Sequence, residues 1–174
     1  MEQLKFLGAE LKILTDHRPV RWWVLFFEPP AGVVISYRLD RAGYLLCGKS
    51  WTLLRLLLLP VSLGLRVLSC RHEIHFKAKI GCGLRIMHPT LGVAVNGDAM
   101  VGKNCLLNGG NSIGCRRPIQ RGELVLGDDV QLGINACVLG PVVVGDRVNI
   151  GAGAVVIHDL PTGSVAVGVP ARPT

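Results

Sequence analysis

An aliphatic residue returns every six positions through most of the second half of this chain, and few folds tolerate that spacing. Ile74, Ile80 and Ile86 begin the series. Val95, Val101, Leu107 and Ile113 resume it, and Leu126, Leu132, Val138, Val144, Ile150 and Val156 complete it. The next residue is often glycine, as at Gly81, Gly102, Gly114, Gly127, Gly133, Gly145 and Gly151. Four places after the aliphatic residue stands a small or β-branched one: Ala78, Ala99, Cys105, Val130, Ala136, Val142, Val148 or Ala154. An amphipathic helix repeats at 3.6 residues and a half-buried strand alternates at two. A sustained period of six instead calls for short strands joined by similar turns, three to a triangular coil, with coils stacked as a solenoid. The aliphatic side chain points into the prism, and the glycine is expected to supply backbone angles that the corner demands.

The interruptions of the ladder carry information of their own. Gly92–Ala94 add three residues between the Ile86 and Val95 units. The stretch Cys115 to Glu123, CRRPIQRGE, replaces a regular corner and must leave the prism as a loop. Loops on rigid scaffolds are where chemistry concentrates.

The chain divides near Arg71 into an N-terminal part, residues 1–71, and the repeat domain, residues 72–174. The first part holds Arg21 to Phe27 (RWWVLFF), a Glu28-Pro29-Pro30 stop, and an apolar run from Trp51 to Ser69 broken by Pro60. Only ten uncharged residues separate Arg55 from Arg66, short of the ~20 that a spanning helix needs. Two readings stay open. The segment lies in a membrane interface as a monotopic helix, with Trp22, Trp23, Trp51 and the arginines at the headgroups, or it packs on the solenoid. The net charge of +7 favours an anionic surface or substrate. No finger, aromatic RNA-binding signature or basic helix register accompanies it, so nucleic acid is not expected. None of the six cysteines pairs with another at the spacing of a zinc knuckle, and buried reduced thiols are expected. Met1 to Glu10 contains acids and no continuous apolar core, so no secretory leader is expected.

The repeat, with the closing VAVGVPARP (Val165 to Pro173), resembles the hexapeptide-repeat acyltransferases. Glu73 to Thr90 (EIHFKAKIGCGLRIMHPT) is similar to the serine acetyltransferase subgroup over its first coil. The order Tyr37-Arg38-Leu39, Glu73-Ile74, Gly83-Leu84-Arg85-Ile86 and His88 is closer still to a branch associated with capsule and exopolysaccharide assembly. The resemblance spans about residues 72–173. It implies a mainly β fold, a left-handed parallel β-helix preceded by a helical, apolar segment. It also implies a homotrimer and acetyl-CoA as co-substrate.

His88 matches the family's catalytic histidine. An alcohol cannot attack a thioester unaided at neutral pH, and an imidazole can take its proton as the attack begins. Two departures bear on the acceptor. Met87 stands where serine acetyltransferases carry an aspartate, and Arg117 stands where their protruding loop carries a second histidine. Both steer the expectation away from L-serine, towards a sugar hydroxyl of a bacterial exopolysaccharide or its lipid-linked precursor. Arg116 and Arg117 would then meet a phosphate or sugar acid, with Asn96 and Asp98 orienting His88 or the sugar. Gly109 removes a side chain that the polysaccharide branch often places there. The co-substrate would lie between neighbouring solenoids, along Gly133, Ala136, Gly151 and Ala152, with Arg172 on a phosphate and Arg147 a weaker candidate. A γ-type carbonic anhydrase shares the solenoid but needs three zinc-binding histidines; none occurs between His88 and His158, and no metal is expected. The location expected is the cytoplasm, peripheral or monotopic at the inner membrane. L-Serine O-acetylation for cysteine synthesis and an inactive solenoid scaffold are the alternatives.

Overall fold

The computed structural model describes residues 2–14, 29–57 and 72–174. The apolar runs at 21–27 and 58–69, which carry most of the monotopic reading, lie outside the described residues. Among the described residues three helices come first: α1 (Glu2–Leu14), α2 (Pro29–Cys47) and α3 (Ser50–Leu57). Fifteen short strands follow: β1 (His72–Ile74), β2 (Lys79–Ile80), β3 (Arg85–Ile86), β4 (Val93–Val95), β5 (Met100–Val101), β6 (Leu106–Leu107), β7 (Asn111–Cys115), β8 (Leu124–Leu126), β9 (Gln131–Leu132), β10 (Cys137–Gly140), β11 (Val142–Val144), β12 (Asn149–Ile150), β13 (Val155–Val156), β14 (Val165–Gly168) and β15 (Ala171–Pro173).

The strands form the three walls of a left-handed parallel β-helix of about four turns. Wall A runs β1-β4-β7-β10-β13, wall B runs β2-β5-β8-β11, and wall C runs β3-β6-β9-β12-β14-β15. Along wall A, His72 pairs with Val93, Val93 with Asn111, Ser112 with Cys137 and Cys137 with Val155, steps of 21, 18, 25 and 18 residues. Three hexapeptides give 18. The longer steps are the three-residue insertion after Ile86 and the loop after Cys115, both legible in the sequence. The inward ladder is buried from Ile80 onward, with Ile74 only partly covered: Leu107, Leu126, Leu132, Val138, Val144 and Val156 are each at most 1% exposed.

The repeat glycines serve a purpose other than the expected one. Gly81, Gly102, Gly127, Gly133, Gly145 and Gly151 do not have positive φ; that conformation falls to Asn104, Asp129, Asn135, Arg147, Gly153 and Gly163 instead. The repeat glycines are needed because coils nearly touch there. A Cβ on Gly81 would lie 2.7 Å from the Gly102 carbonyl oxygen, and one on Gly145 would lie 2.6 Å from the Thr162 nitrogen.

A parallel solenoid exposes an unpaired strand at each end, which must be covered. In β2 and just after it, Lys79 and Gly81 direct their N–H groups to the carbonyls of Ala99 and Val101 in the next coil. The Ile80 N–H and C=O therefore face away from it. Helix α2 meets them: the Ile80 N–H donates to Tyr37 Oη at 3.2 Å, and Arg38 donates to the Ile80 carbonyl at 2.8 Å. The Tyr37 hydroxyl in turn donates to the Ala78 carbonyl. Arg38, fully buried, forks onto the Glu10 carboxylate of α1, and Glu10 also accepts the Leu84 N–H at 3.0 Å. Arg41 donates to the Phe76 and Lys77 carbonyls. The Tyr37-Arg38 motif is thus the solenoid's end cap. Trp51, expected at lipid headgroups, packs its ring where a Cβ on Gly43 would overlap it. Among the described residues no helix is long and apolar enough to cross a membrane.

Candidate functional site

Three kinds of corner follow from the wall order, and, Arg147 and Arg172 apart, the expected site residues divide between two of them. The C-to-A corner carries His88 in the first coil, Gly109 and Gly110 in the second, Gly133 to Ala136 in the third, and Gly151 and Ala152 in the fourth. Asn96, Asp98 and the loop with Arg116 and Arg117 all lie at the A-to-B corner. The structure therefore brings His88 together with the column expected to line the co-substrate. Within one chain it does not bring it to the expected acceptor residues.

His88 is exposed and caps a 3-10 turn, Pro89–Leu91, with its carbonyl accepting the Leu91 N–H. The three-residue insertion makes this turn possible. Gly109 backs the histidine closely: its φ is +112°, and a Cβ there would overlap the His88 carbonyl oxygen and lie 3.0 Å from its Cβ. Glycine at 109 is thus required by the approach of His88 itself. A groove of about 450 Å³ opens beside this corner, lined among others by Glu73, Leu91, Gly92, Ala94, Gly110 and Asn111. Glu73, read from sequence only as part of a Glu-Ile motif, supplies its carboxylate. Further along the same edge, a Cβ on Gly133 would lie 2.5 Å from the Ala152 nitrogen, so these coils are in backbone contact. Arg172 is exposed on the closing hairpin opposite Val167, whose side chain meets Gly151. Arg147 takes a left-handed φ of +55° at the B-to-C corner, away from His88.

The A-to-B loop is bound to its own scaffold. Arg117 pairs with Glu123 at 2.8 Å, and Glu123 also accepts the Gln120 N–H. These two contacts, the backbone one first, hold the Glu123 carboxyl below the usual carboxylate range. Arg116 donates to the Ile157 carbonyl and Arg121 to the Lys77 carbonyl. Asn96 and Asp98 form a local turn, the Asp98 N–H donating to Asn96 Oδ1 at 2.8 Å. His75 keeps a structural place: its ring stacks on Phe76, and Nδ1 accepts the Lys77 N–H at 3.1 Å. Burial, then Lys77, holds its pKa below the ordinary histidine value. Cys105 is buried inside the prism, and burial pushes its thiol up to about 12. Among the described residues no group of three or more His, Cys, Asp or Glu is placed to hold a metal ion.

Residues 124–158 match the family model described as bacterial transferase hexapeptide (six repeats). Serine acetyltransferase 1, chloroplastic, of Arabidopsis thaliana is 45% identical over 107 residues, 58% of this chain and 32% of that protein. The serine acetyltransferase of Helicobacter pylori is 36% identical over 101 residues, 58% of each chain. The chain thus spans less than two thirds of the length of these relatives. Among solved structures, the Neisseria gonorrhoeae serine acetyltransferase in complex with serine superposes with a TM-score of 0.76 at 28% identity, covering 98% of this chain and 68% of that one. The soybean apoenzyme gives 0.76 at 27%, covering 99% and 69%.

These relatives overturn the expected glycan acceptor and the exopolysaccharide branch, since the sequence relatives and the superposed structures above are all serine acetyltransferases. The physical basis of that expectation also falls away. Met87 is exposed and its N–H simply continues wall C by donating to the Leu107 carbonyl. Arg117 is committed to Glu123 at another corner, and neither Met87 nor Arg117 lines the groove beside the His88 corner. Residues 124–158 thus match a hexapeptide-repeat transferase model, and the chain is similar, in sequence and in fold, to the serine acetyltransferases.

Proposed function

We propose that this chain transfers an acetyl group from acetyl-CoA to the hydroxyl of L-serine, with His88 as general base. The serine Oγ attacks the thioester carbonyl while the His88 imidazole takes its proton. The tetrahedral intermediate then expels the thiolate, and the imidazolium returns the proton to the departing sulfur. Glu73 supplies the negative charge that the groove offers to the serine ammonium. The N–H groups of Gly109 and Gly110 are already engaged, by Asn111 Oδ1 and the Gly92 carbonyl. The oxyanion is therefore met by other donors.

The observation that carries this reading is the placement of His88: exposed at a break in the corner column, backed by Gly109, with an open groove beside it. A thin pantetheine arm suits the small residues that continue the edge, Gly133, Ala136, Gly151 and Ala152, with Arg172 towards a CoA phosphate. Asn96, Asp98, Arg116 and Arg117 face another corner, so they reach a His88 groove only from a second copy. This supports a homotrimer of the 72–174 domain, capped by α1 and α2 of the segment that precedes it. Incubating the purified protein with acetyl-CoA and L-serine and identifying O-acetyl-L-serine by mass tests the proposal. Absence of that product above a protein-free control refutes it.

A further inference from the structure

Every regular unit of the C-to-A corner places a small apolar residue four positions after the inward aliphatic one, with one exception. Ala136 follows Leu132 and Ala154 follows Ile150, but Asn111 follows Leu107. Asn111 is 2% exposed. Giving a core position to an amide costs a few kcal/mol unless the amide is fully hydrogen-bonded. Here it is. Asn111 Oδ1 accepts the Gly109 N–H at 2.8 Å, and Nδ2 donates to the carbonyls of Gly133 at 2.8 Å and Ala136 at 3.2 Å.

Those three partners are not arbitrary. Gly109 is the residue pressed against the His88 carbonyl and Cβ, and Gly133 and Ala136 form the next step of the same edge. Gly109 and Gly110 both take positive φ, +112° and +67°, a pair of conformations that glycine leaves soft. The Asn111 amide holds the Gly109 N–H, and the Gly92 carbonyl holds that of Gly110.

We infer that Asn111 is a positioning residue for His88: its buried side chain locks the Gly109–Gly110 corner that seats the histidine and ties it to the Gly133–Ala136 step. The inference rests on the acetyltransferase reading for its catalytic consequence, and its geometric content is separable from that reading. Both carbonyls keep another donor without Asn111, since Gly133 O accepts the Ala136 N–H and Ala136 O accepts the Ser112 N–H. Asn111→Ala also restores the residue type used in the later coils. It does orphan the buried Gly109 N–H, which costs stability, so it should fold with a moderate loss of melting temperature and lose activity well beyond any unfolded fraction.

The test compares wild type, Asn111→Ala and Asn104→Gly. The last removes an inter-coil side-chain bond, from Asn104 Nδ2 to Asp129 at 3.0 Å, at the B-to-C corner. With L-serine and acetyl-CoA, Asn111→Ala should lose about 10- to 100-fold in kcat, the cost of a small misplacement, while both KM values stay within about threefold. Asn104→Gly should keep kcat. Asn111→Asp retains an acceptor and, when protonated, a donor, so its kcat relative to wild type should rise as the pH is lowered. An unchanged kcat in Asn111→Ala, or a loss matching only the fraction unfolded, overturns the inference. If wild type does not turn over L-serine, the functional reading fails, and imidazole NMR of ¹⁵N-histidine protein decides the inference instead. The His88 resonances, identified by their loss in His88→Ala, should shift in Asn111→Ala and not in Asn104→Gly; no shift refutes it. Should Asn111→Ala not fold, Asn111→Asp carries the same comparisons.

Discussion

Removing Glu10 should loosen the solenoid where it begins. Glu10→Ala leaves the Arg38 guanidinium buried without its counter-charge, at 0% side-chain exposure, and strips the Leu84 N–H of its acceptor. Breaking one partner of a buried pair costs about 3–5 kcal/mol. For a chain of this length that is a fall of roughly 10 °C in melting temperature. A solenoid is stabilised coil by coil, so the loss should be largest locally. Hydrogen exchange should accelerate at Ile80 and Leu84 well before Leu132 or Ile150. Replacing both partners, as Glu10→Leu with Arg38→Met, removes the uncompensated charge and recovers part of the loss. Full recovery is not expected, because Arg38 also satisfies the Ile80 and Gly81 carbonyls and each orphaned group costs about 1–3 kcal/mol. The reasoning fails if Glu10→Ala melts within a degree or two of wild type with uniform exchange. It also fails if the double variant matches wild type.

Three further outcomes follow from the corners and the loop. Gly109→Ala should lower kcat by at least tenfold and cost about 1–3 kcal/mol, because its Cβ would overlap the His88 carbonyl; normal kinetics and melting would contradict that geometry. Glu123→Gln should open the loop, seen as faster tryptic cleavage at Arg116, Arg117 and Arg121. Because folding depresses the Glu123 pKa, the clasp should hold at neutral pH in wild type and loosen only as the pH falls below the ordinary carboxylate range. In native protein Cys105, with its thiol pushed up to about 12, should resist alkylation near neutral pH while the exposed Cys47 reacts.

The six-residue ladder made the prism legible, down to the longer register steps at Gly92 and Cys115, because each unit meets only its neighbours. The end cap was hidden for the opposite reason. Tyr37 and Arg38 act on carbonyls about forty residues away, and no local pattern announces that. The repeat glycines were found with the wrong purpose, since close coil contact and a left-handed turn leave the same residue type in a sequence. His88 was visible through its resemblance and its break in the ladder. Asn111 was visible only as a polar exception to a rule about small inward residues. The acceptor was misread from Met87 and Arg117, which differ from the expected pattern without lining the groove beside the His88 corner.

The central claim is that the His88 corner acetylates L-serine. Steady-state CoA release from acetyl-CoA, measured against L-serine concentration for wild type and His88→Ala side by side, tests it most directly. Saturable, serine-dependent release that disappears in a folded His88→Ala variant is the predicted result. Release no greater than acceptor-free hydrolysis, or equal in both proteins, would contradict it.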